Sequence, residues 1–134
     1  MTPPEIEDRL REELRRAPAG VVCAYLFGSV ARGAAHTQSD VDLAVLFESP
    51  PAPRLDAGPL DFERALERAL GRPVQLVVLN RAPADLVHRV LRDGRVVLDR
   101  DRAERIRFEV AKRNEYFDLE PIRRLYRAPR PQPA

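Results

Sequence analysis

Two apolar runs, one at residues 21–27 and one at 41–47 that contains a single polar residue, Asp42, constrain the fold of this chain more than any other feature. Each run has the length of a β-strand, and each is far too short to cross a bilayer as a helix. The first run includes Cys23, Tyr25 and Phe27 and presents no polar residue on either side, so it predicts a strand buried on both faces. We expect these three residues to belong to the core, with Cys23 chemically inert.

Helical and strand patterns alternate along the rest of the chain. Apolar residues at helical spacing predict helices over residues 4–16, 60–70, 82–92, 102–117 and 122–126, with a brief helical turn at 30–35. Short apolar segments predict two further strands, over residues 74–79 and 96–98. The expected fold class is therefore α/β or α+β, a small mixed β-sheet flanked by helices. The spacings do not predict the order of the strands.

The composition fits one ordinary folded domain. The 134 residues are 33% charged and 44% hydrophobic, which suits neither a disordered chain nor two domains. We expect a single domain over residues 1–128 with its core at about 21–80, and a disordered tail at 129–134. The formal net charge is only +2, with 23 basic and 21 acidic residues interleaved, so we expect no direct binding of nucleic acid.

A single cysteine, Cys23, cannot form an internal disulfide, and no Cys/His cluster has zinc-finger spacing. The acidic first residues lack the apolar segment of a secretion signal, and no apolar run is long enough for a membrane span. These features predict a cytoplasmic protein.

Two acidic residues mark the start of the second apolar run. Asp40 and Asp42 are two apart, and because side chains alternate across a strand, both carboxylates emerge on one face. Their repulsion favours a bound cation, and oxygen ligands that leave most positions open suit Mg²⁺ bound together with phosphates. The alternative is that the two acids only form the polar, N-capping edge of the strand, with Ser39 and Asp40 in a turn.

Gly28 and Ser29 follow the first strand directly. A Gly-Ser turn between a buried strand and a short helix presents backbone N–H groups and a hydroxyl to an anion. Arg32 lies within reach of the same place, although it is also one of many solvated arginines. The turn and the two acids together predict a phosphate-binding and metal-binding site at one end of the sheet.

This segment resembles the nucleotidyltransferase superfamily of the DNA polymerase β type. The resemblance rests on Gly28-Ser29, ten intervening residues and Asp40-Val41-Asp42, together with Arg32-Gly33 and Ser39. The short chain is similar to the minimal nucleotidyltransferase (MNT) antitoxins, which are usually encoded beside a HEPN-domain toxin. The resemblance covers residues 21–80 most clearly and extends more weakly to about residue 119.

The resemblance implies a fold, an activity and a partner. It implies the polymerase β-like nucleotidyltransferase fold, with Asp40 and Asp42 holding Mg²⁺ and with Gly28, Ser29 and Arg32 binding the nucleotide phosphates; Ser29 counts with the two aspartates as catalytic. The implied reaction transfers AMP from ATP to a hydroxyl, expected to be a tyrosine, of a HEPN toxin and silences it. The two proteins would then form a hetero-oligomer. Two alternatives are an antitoxin that acts by occlusion alone and a transferase that modifies small molecules.

The third predicted strand departs from the pattern of the superfamily. Many members carry a third carboxylate there, whereas this chain has Gln75, whose amide cannot act as a base. Gln75 can still contact the nucleotide or a cation. Glu48 cannot replace the missing acid, because it lies six residues beyond Asp42, about 20 Å at ~3.3 Å per residue. Either two aspartates suffice for transfer, or transfer is weakened or absent.

The remaining candidates have simpler interpretations. His36 is expected at the surface, Ser39 is expected to cap the turn before the strand, and His88 is expected on a helix surface or packed against one. The apolar and aromatic residues between 108 and 126 either cover the sheet or dock a partner protein.

Overall fold

A mixed sheet forms the centre of the fold. The computed structural model describes residues 2–33, 40–51 and 58–127, and within them the sheet has four strands: β1 (Val21–Phe27), β2 (Val41–Phe47), β3 (Val74–Val78) and β4 (Arg95–Asp99). The strand order is β3-β2-β1-β4. β1 runs antiparallel to both of its neighbours, and β2 runs parallel to β3. The predicted mixed α/β sheet is confirmed, and its order is set by long-range pairing.

Helices cover both faces of this sheet. They are α1 (Pro3–Leu14), α2 (Gly28–Ala31), α3 (Pro59–Leu70), α4 (Ala84–Asp93) and α5 (Arg102–Arg127), with a 3-10 turn at Leu79–Arg81. Buried residues of α1, α2 and α3 pack on one face, whereas α4 and α5 contribute to a second cluster on the other. The central strands therefore lie between two apolar layers, which explains why β1 is buried along its whole length.

The first helix illustrates how the sequence pattern is satisfied. Ile6, Leu10 and Leu14 are all buried, as their spacing of four predicts. Thr2 caps the helix, because its hydroxyl accepts a hydrogen bond from the N–H of Glu5 while the Glu5 carboxylate accepts one from the N–H of Thr2.

A buried polar contact joins α5 to the sheet. The hydroxyl of Tyr25 donates a hydrogen bond of 2.7 Å to Glu109, and Arg105 donates to both Glu109 and Asp99 at 3.0 Å. Tyr25 is therefore a core residue, as expected, with its polar end satisfied. Among the residues that the structure describes, every helix is too short or too polar to cross a membrane.

Three predicted boundaries were wrong. The two helical pieces at the C-terminus are one helix, α5, with Pro121 inside it. Proline removes one backbone hydrogen bond, but its fixed φ suits a helix, so the turns on either side continue. α4 begins at Ala84 and not at residue 82 as predicted. α2 begins at Gly28 and not at Val30. The tail predicted at 129–134 lies outside the described residues.

Candidate active site

A cavity of about 480 Å³ lies where β1 ends and where β2 and β3 begin. Five of the six site residues expected from the sequence line it: Gly28, Ser29, Arg32, Asp42 and Gln75. The sixth, Asp40, precedes β2, is exposed, and does not belong to the described lining of the cavity. The structure therefore brings the Gly-Ser pair and the acidic strand together at one edge of the sheet.

Gly28 and Asp42 are in close contact. Phe27 pairs with Asp42 across the antiparallel strands, so the next residue, Gly28, passes directly beside the carboxylate. A Cβ atom added to Gly28 would lie 3.0 Å from Cγ of Asp42 and closer still to its Oδ2. Gly28 also has a φ of 75°, which side chains other than glycine rarely adopt. Both the space and the backbone conformation therefore require glycine here.

Gln75 lies directly beside Asp42. The two residues are register partners in the parallel pair β2 and β3, and neighbouring strands are about 4.8 Å apart. The side chains of Asp42 and Gln75 line the same cavity. Gln75 thus lies on the strand next to Asp42 and supplies a neutral amide to the cavity.

Ionisation of the Asp42 carboxyl is electrostatically disfavoured in the folded chain. Burial raises its pKa above the ordinary value and the charge of Asp40 raises it further, whereas Arg32 and Arg89 act in the opposite direction. A divalent cation would relieve both the burial cost and the repulsion between the two acids. The oxygen atoms of Asp40, Asp42 and Gln75 are ligands of the kind that Mg²⁺ prefers. Within the described ranges, no group of three or more His, Cys, Asp or Glu side chains could hold a metal ion.

α4 provides a wall of the cavity that was not predicted from the sequence. Leu86, Arg89 and Asp93 line the cavity at positions i, i+3 and i+7, which is the spacing of one helical side. Both oxygens of Asp93 accept hydrogen bonds from Arg92, at 2.9 and 2.8 Å. The spacing was visible in the sequence, but nothing in it showed that this side of the helix faces the start of β2.

Three other candidates, Glu48, His88 and Cys23, do not belong to the described lining of the cavity. Glu48 lines a different cavity, together with Asn80 and Phe108. His88 stacks on Tyr116 of α5 with ring centroids 3.7 Å apart, which confirms that it is a packed residue. Cys23 is fully buried, and burial raises the pKa of its thiol to about 12, so it is inert as expected. His36 and Ser39 lie outside the described residues.

Comparison with known families identifies one match along most of the chain. The family model described as "Polymerase beta, Nucleotidyltransferase" matches residues 8–103. None of the curated proteins matches this chain.

Several solved structures with the same fold belong to toxin-antitoxin systems. A toxin-antitoxin crystallised with AMP-PNP is 27% identical to this chain, covers 90% of it and 94% of its own chain, and superposes with a TM-score of 0.75. A mutant of the toxin-antitoxin MntA-HpeT is 25% identical with the same coverage and a TM-score of 0.75. The MNT antitoxin bound to a tri-AMPylated HEPN toxin of Shewanella oneidensis is 23% identical over 92% of this chain and 94% of its own, with a TM-score of 0.72.

Proposed function

The chain belongs to the polymerase beta nucleotidyltransferase family, and from this premise we propose that it is an antitoxin that transfers AMP from ATP to a HEPN toxin. The acceptor in this proposal is a hydroxyl group, expected to be that of a tyrosine. The observation that carries it is the contact between Gly28 and Asp42, because it joins a phosphate-binding turn to an acidic strand in one cavity. The proposal includes a cytoplasmic location, which a lone buried thiol supports.

The similarity to a toxin-antitoxin structure that contains AMP-PNP supports both the nucleotide and the partner. AMP-PNP is an analogue of ATP, and the protein crystallised with it is similar to this chain over 90% of the length. The match also covers 94% of that protein's own chain, so almost all of that chain has a counterpart here.

The residues that line the cavity, together with Asp40 before β2, suit nucleotidyl transfer. Asp40 and Asp42 would hold Mg²⁺, which when bound would neutralise charge on the triphosphate and on the leaving group. Gly28 and Ser29 would bind the β- and γ-phosphates through backbone N–H groups and the serine hydroxyl. The acceptor oxygen attacks the α-phosphorus, the bond from that phosphorus to the bridging oxygen breaks, and pyrophosphate leaves. The proton of the acceptor passes to solvent or to the substrate.

Incubation of the purified chain with ATP labelled on the α-phosphate, Mg²⁺ and the HEPN protein encoded beside it tests the proposal. We expect label on the HEPN protein and loss of its toxicity. A tight complex without label would support the second candidate, neutralisation by occlusion alone, which the neutral Gln75 beside Asp42 favours. Label on small molecules only would contradict both.

Replacement of Gln75 by aspartate is expected to raise the rate of transfer about tenfold. The new carboxylate would lie on the strand adjacent to Asp42, where it could accept the proton of the acceptor, and general base catalysis contributes about 10²–10⁴-fold in enzymes. Single-turnover labelling of the toxin measures the effect. Gln75→Asn is the matched control, because it shortens the side chain equally and adds no charge; a Gln75→Asp rate no higher than that of Gln75→Asn would contradict the assignment of this position.

The exposed side of α5 supports contact with a protein partner. Ile106, Val110 and Phe117 are 41%, 50% and 60% exposed, and their spacing places them on one side of the helix. Phe108, by contrast, packs on the core beneath α5. Phe108 therefore helps to cover the sheet, whereas the exposed side of α5 is free for a partner protein. We assign this exposed side to the toxin.

The double substitution Ile106→Ser/Phe117→Ser is expected to weaken the complex with the HEPN toxin by about 10- to 100-fold, since buried aromatic anchors carry much of the binding energy. Isothermal titration of the two purified proteins measures it. Leu125 is 79% exposed but lies roughly a quarter turn away around the helix, so Leu125→Ser is the control. Equal losses in the two variants would count against this surface.

A further inference from the structure

Arg89 lines the candidate active site from α4. Its charge acts on the carboxyls of both Asp42 and Asp93, which places the guanidinium within electrostatic range of the two acids of the cavity. Arg32 acts on the same two carboxyls from α2's C-terminal end. Two arginines that belong to different elements therefore share one cavity with Gly28 and Ser29.

The hydrogen-bond donors of Arg89 are available for a ligand. In the part of the chain that the structure describes, Arg89 makes no ion pair or hydrogen bond, whereas the neighbouring Arg92 is held by Asp93. Among the described residues, Asp93 is paired with Arg92 and has no hydrogen bond or ion pair with Arg89. An arginine with its donors unused, in one cavity with a half-buried carboxylate and a glycine turn, fits a ligand that brings its own negative charge.

We propose that Arg89 binds the β- and γ-phosphates of the nucleotide from the α4 wall of the cavity. The inference rests on the proposed function and adds to it a binding residue outside the strand-turn-strand segment. Guanidinium groups hold phosphate oxygens in bidentate geometry, which fixes both position and orientation. Arg89 and Arg32 also offset the charge of Asp40 and Asp42, which would otherwise repel a triphosphate.

Binding of three ligands to the purified chain, in the presence of Mg²⁺, tests the assignment. AMP-PNP and inorganic pyrophosphate carry the phosphates that Arg89 would contact, whereas AMP lacks them. We expect Arg89→Ala to weaken binding of AMP-PNP and pyrophosphate by about 10- to 100-fold, the usual loss for a charged hydrogen bond, and to change AMP binding less than threefold. Arg89→Lys should recover only part of the loss, because lysine keeps the charge but not the bidentate geometry.

The control is Arg64→Ala, on the exposed side of α3. α3 packs on the opposite face of the sheet, so this variant removes an arginine without touching the cavity. An equal loss of affinity for AMP and AMP-PNP in Arg89→Ala would instead place Arg89 at the base or the α-phosphate and overturn the assignment. Unchanged affinities for all ligands would overturn it too, but leave the proposed function standing. A wild-type chain that binds neither AMP-PNP nor pyrophosphate would overturn both.

Discussion

Replacement of Asp42 by asparagine is expected to abolish transfer of AMP and, at the same time, to make the folded chain more stable at neutral pH. The loss of transfer should reach about 1000-fold or more, because the carboxylate is the proposed metal ligand closest to the Gly-Ser turn and metal ions contribute several kcal/mol of charge stabilisation. Labelling of the HEPN toxin from ATP measures this loss.

The gain in stability follows from the direction of the pKa shift. Burial and the charge of Asp40 raise the pKa of Asp42 above its ordinary value of 3.8. A raised pKa means that protonation favours the folded state, so this contribution is complete below pH 3.8 and is lost as the pH rises through the folded-state pKa. Asparagine is never ionised, so Asp42→Asn should raise the unfolding temperature by a few degrees at pH 7 and by little or nothing below pH 3.8.

Asp93→Asn is the matched control, since Asp93 lines the same cavity. The hydrogen bonds from Arg92 lower the pKa of Asp93, so its ionised form favours the folded state. The two asparagine variants should therefore differ in sign at pH 7, with Asp93→Asn no more stable than the wild type. An Asp42→Asn variant that is less stable at pH 7, or that still labels the toxin at the wild-type rate, would contradict the roles given to Asp42.

The centre of the fold could be predicted from the sequence because the signals there are local. β1 is a continuous apolar run and β2 is apolar apart from Asp42, and the spacing of Ile6, Leu10 and Leu14 alone predicts their burial. The strand order and the pairing of Asp42 with Gln75 depend on contacts between distant segments. Gln75 was singled out by the family resemblance, because periodicity alone does not show which residue of β3 lies beside Asp42.

The site was only partly predictable for a related reason. The strand-turn-strand segment carries its chemistry within fifteen residues, from Gly28 to Asp42. Arg89, by contrast, lines the cavity only because α4 packs on the face of the sheet to which Asp42 belongs. At the C-terminus the error was of another kind, because two helical pieces were predicted where α5 continues through Pro121.

Replacement of Gly28 by alanine should destabilise the chain and suppress transfer together. An alanine side chain would need a φ of 75°, at a cost of about 1 kcal/mol. Its Cβ would also press on Asp42, 3.0 Å from Cγ and 3.2 Å from Cβ of that residue, and such overpacking costs about 1–3 kcal/mol more. Because the collision displaces the carboxylate itself, we expect transfer to fall by about 100-fold or more, since small misplacements of reacting groups have effects of this size.

Gly71→Ala separates the two causes of this loss. Gly71 ends α3 with a φ of 68°, yet nothing lies within 4 Å of an added Cβ. This control should lose only the backbone contribution of about 1 kcal/mol in denaturant unfolding, with transfer to the toxin unchanged. Combining Gly28→Ala with Asp42→Ala removes the collision, so the double variant should recover stability without recovering transfer. Losses in Gly28→Ala no larger than those in Gly71→Ala would mean that the Asp42 carboxylate moves aside at little cost. The contact between Gly28 and Asp42 would then not position the reacting groups.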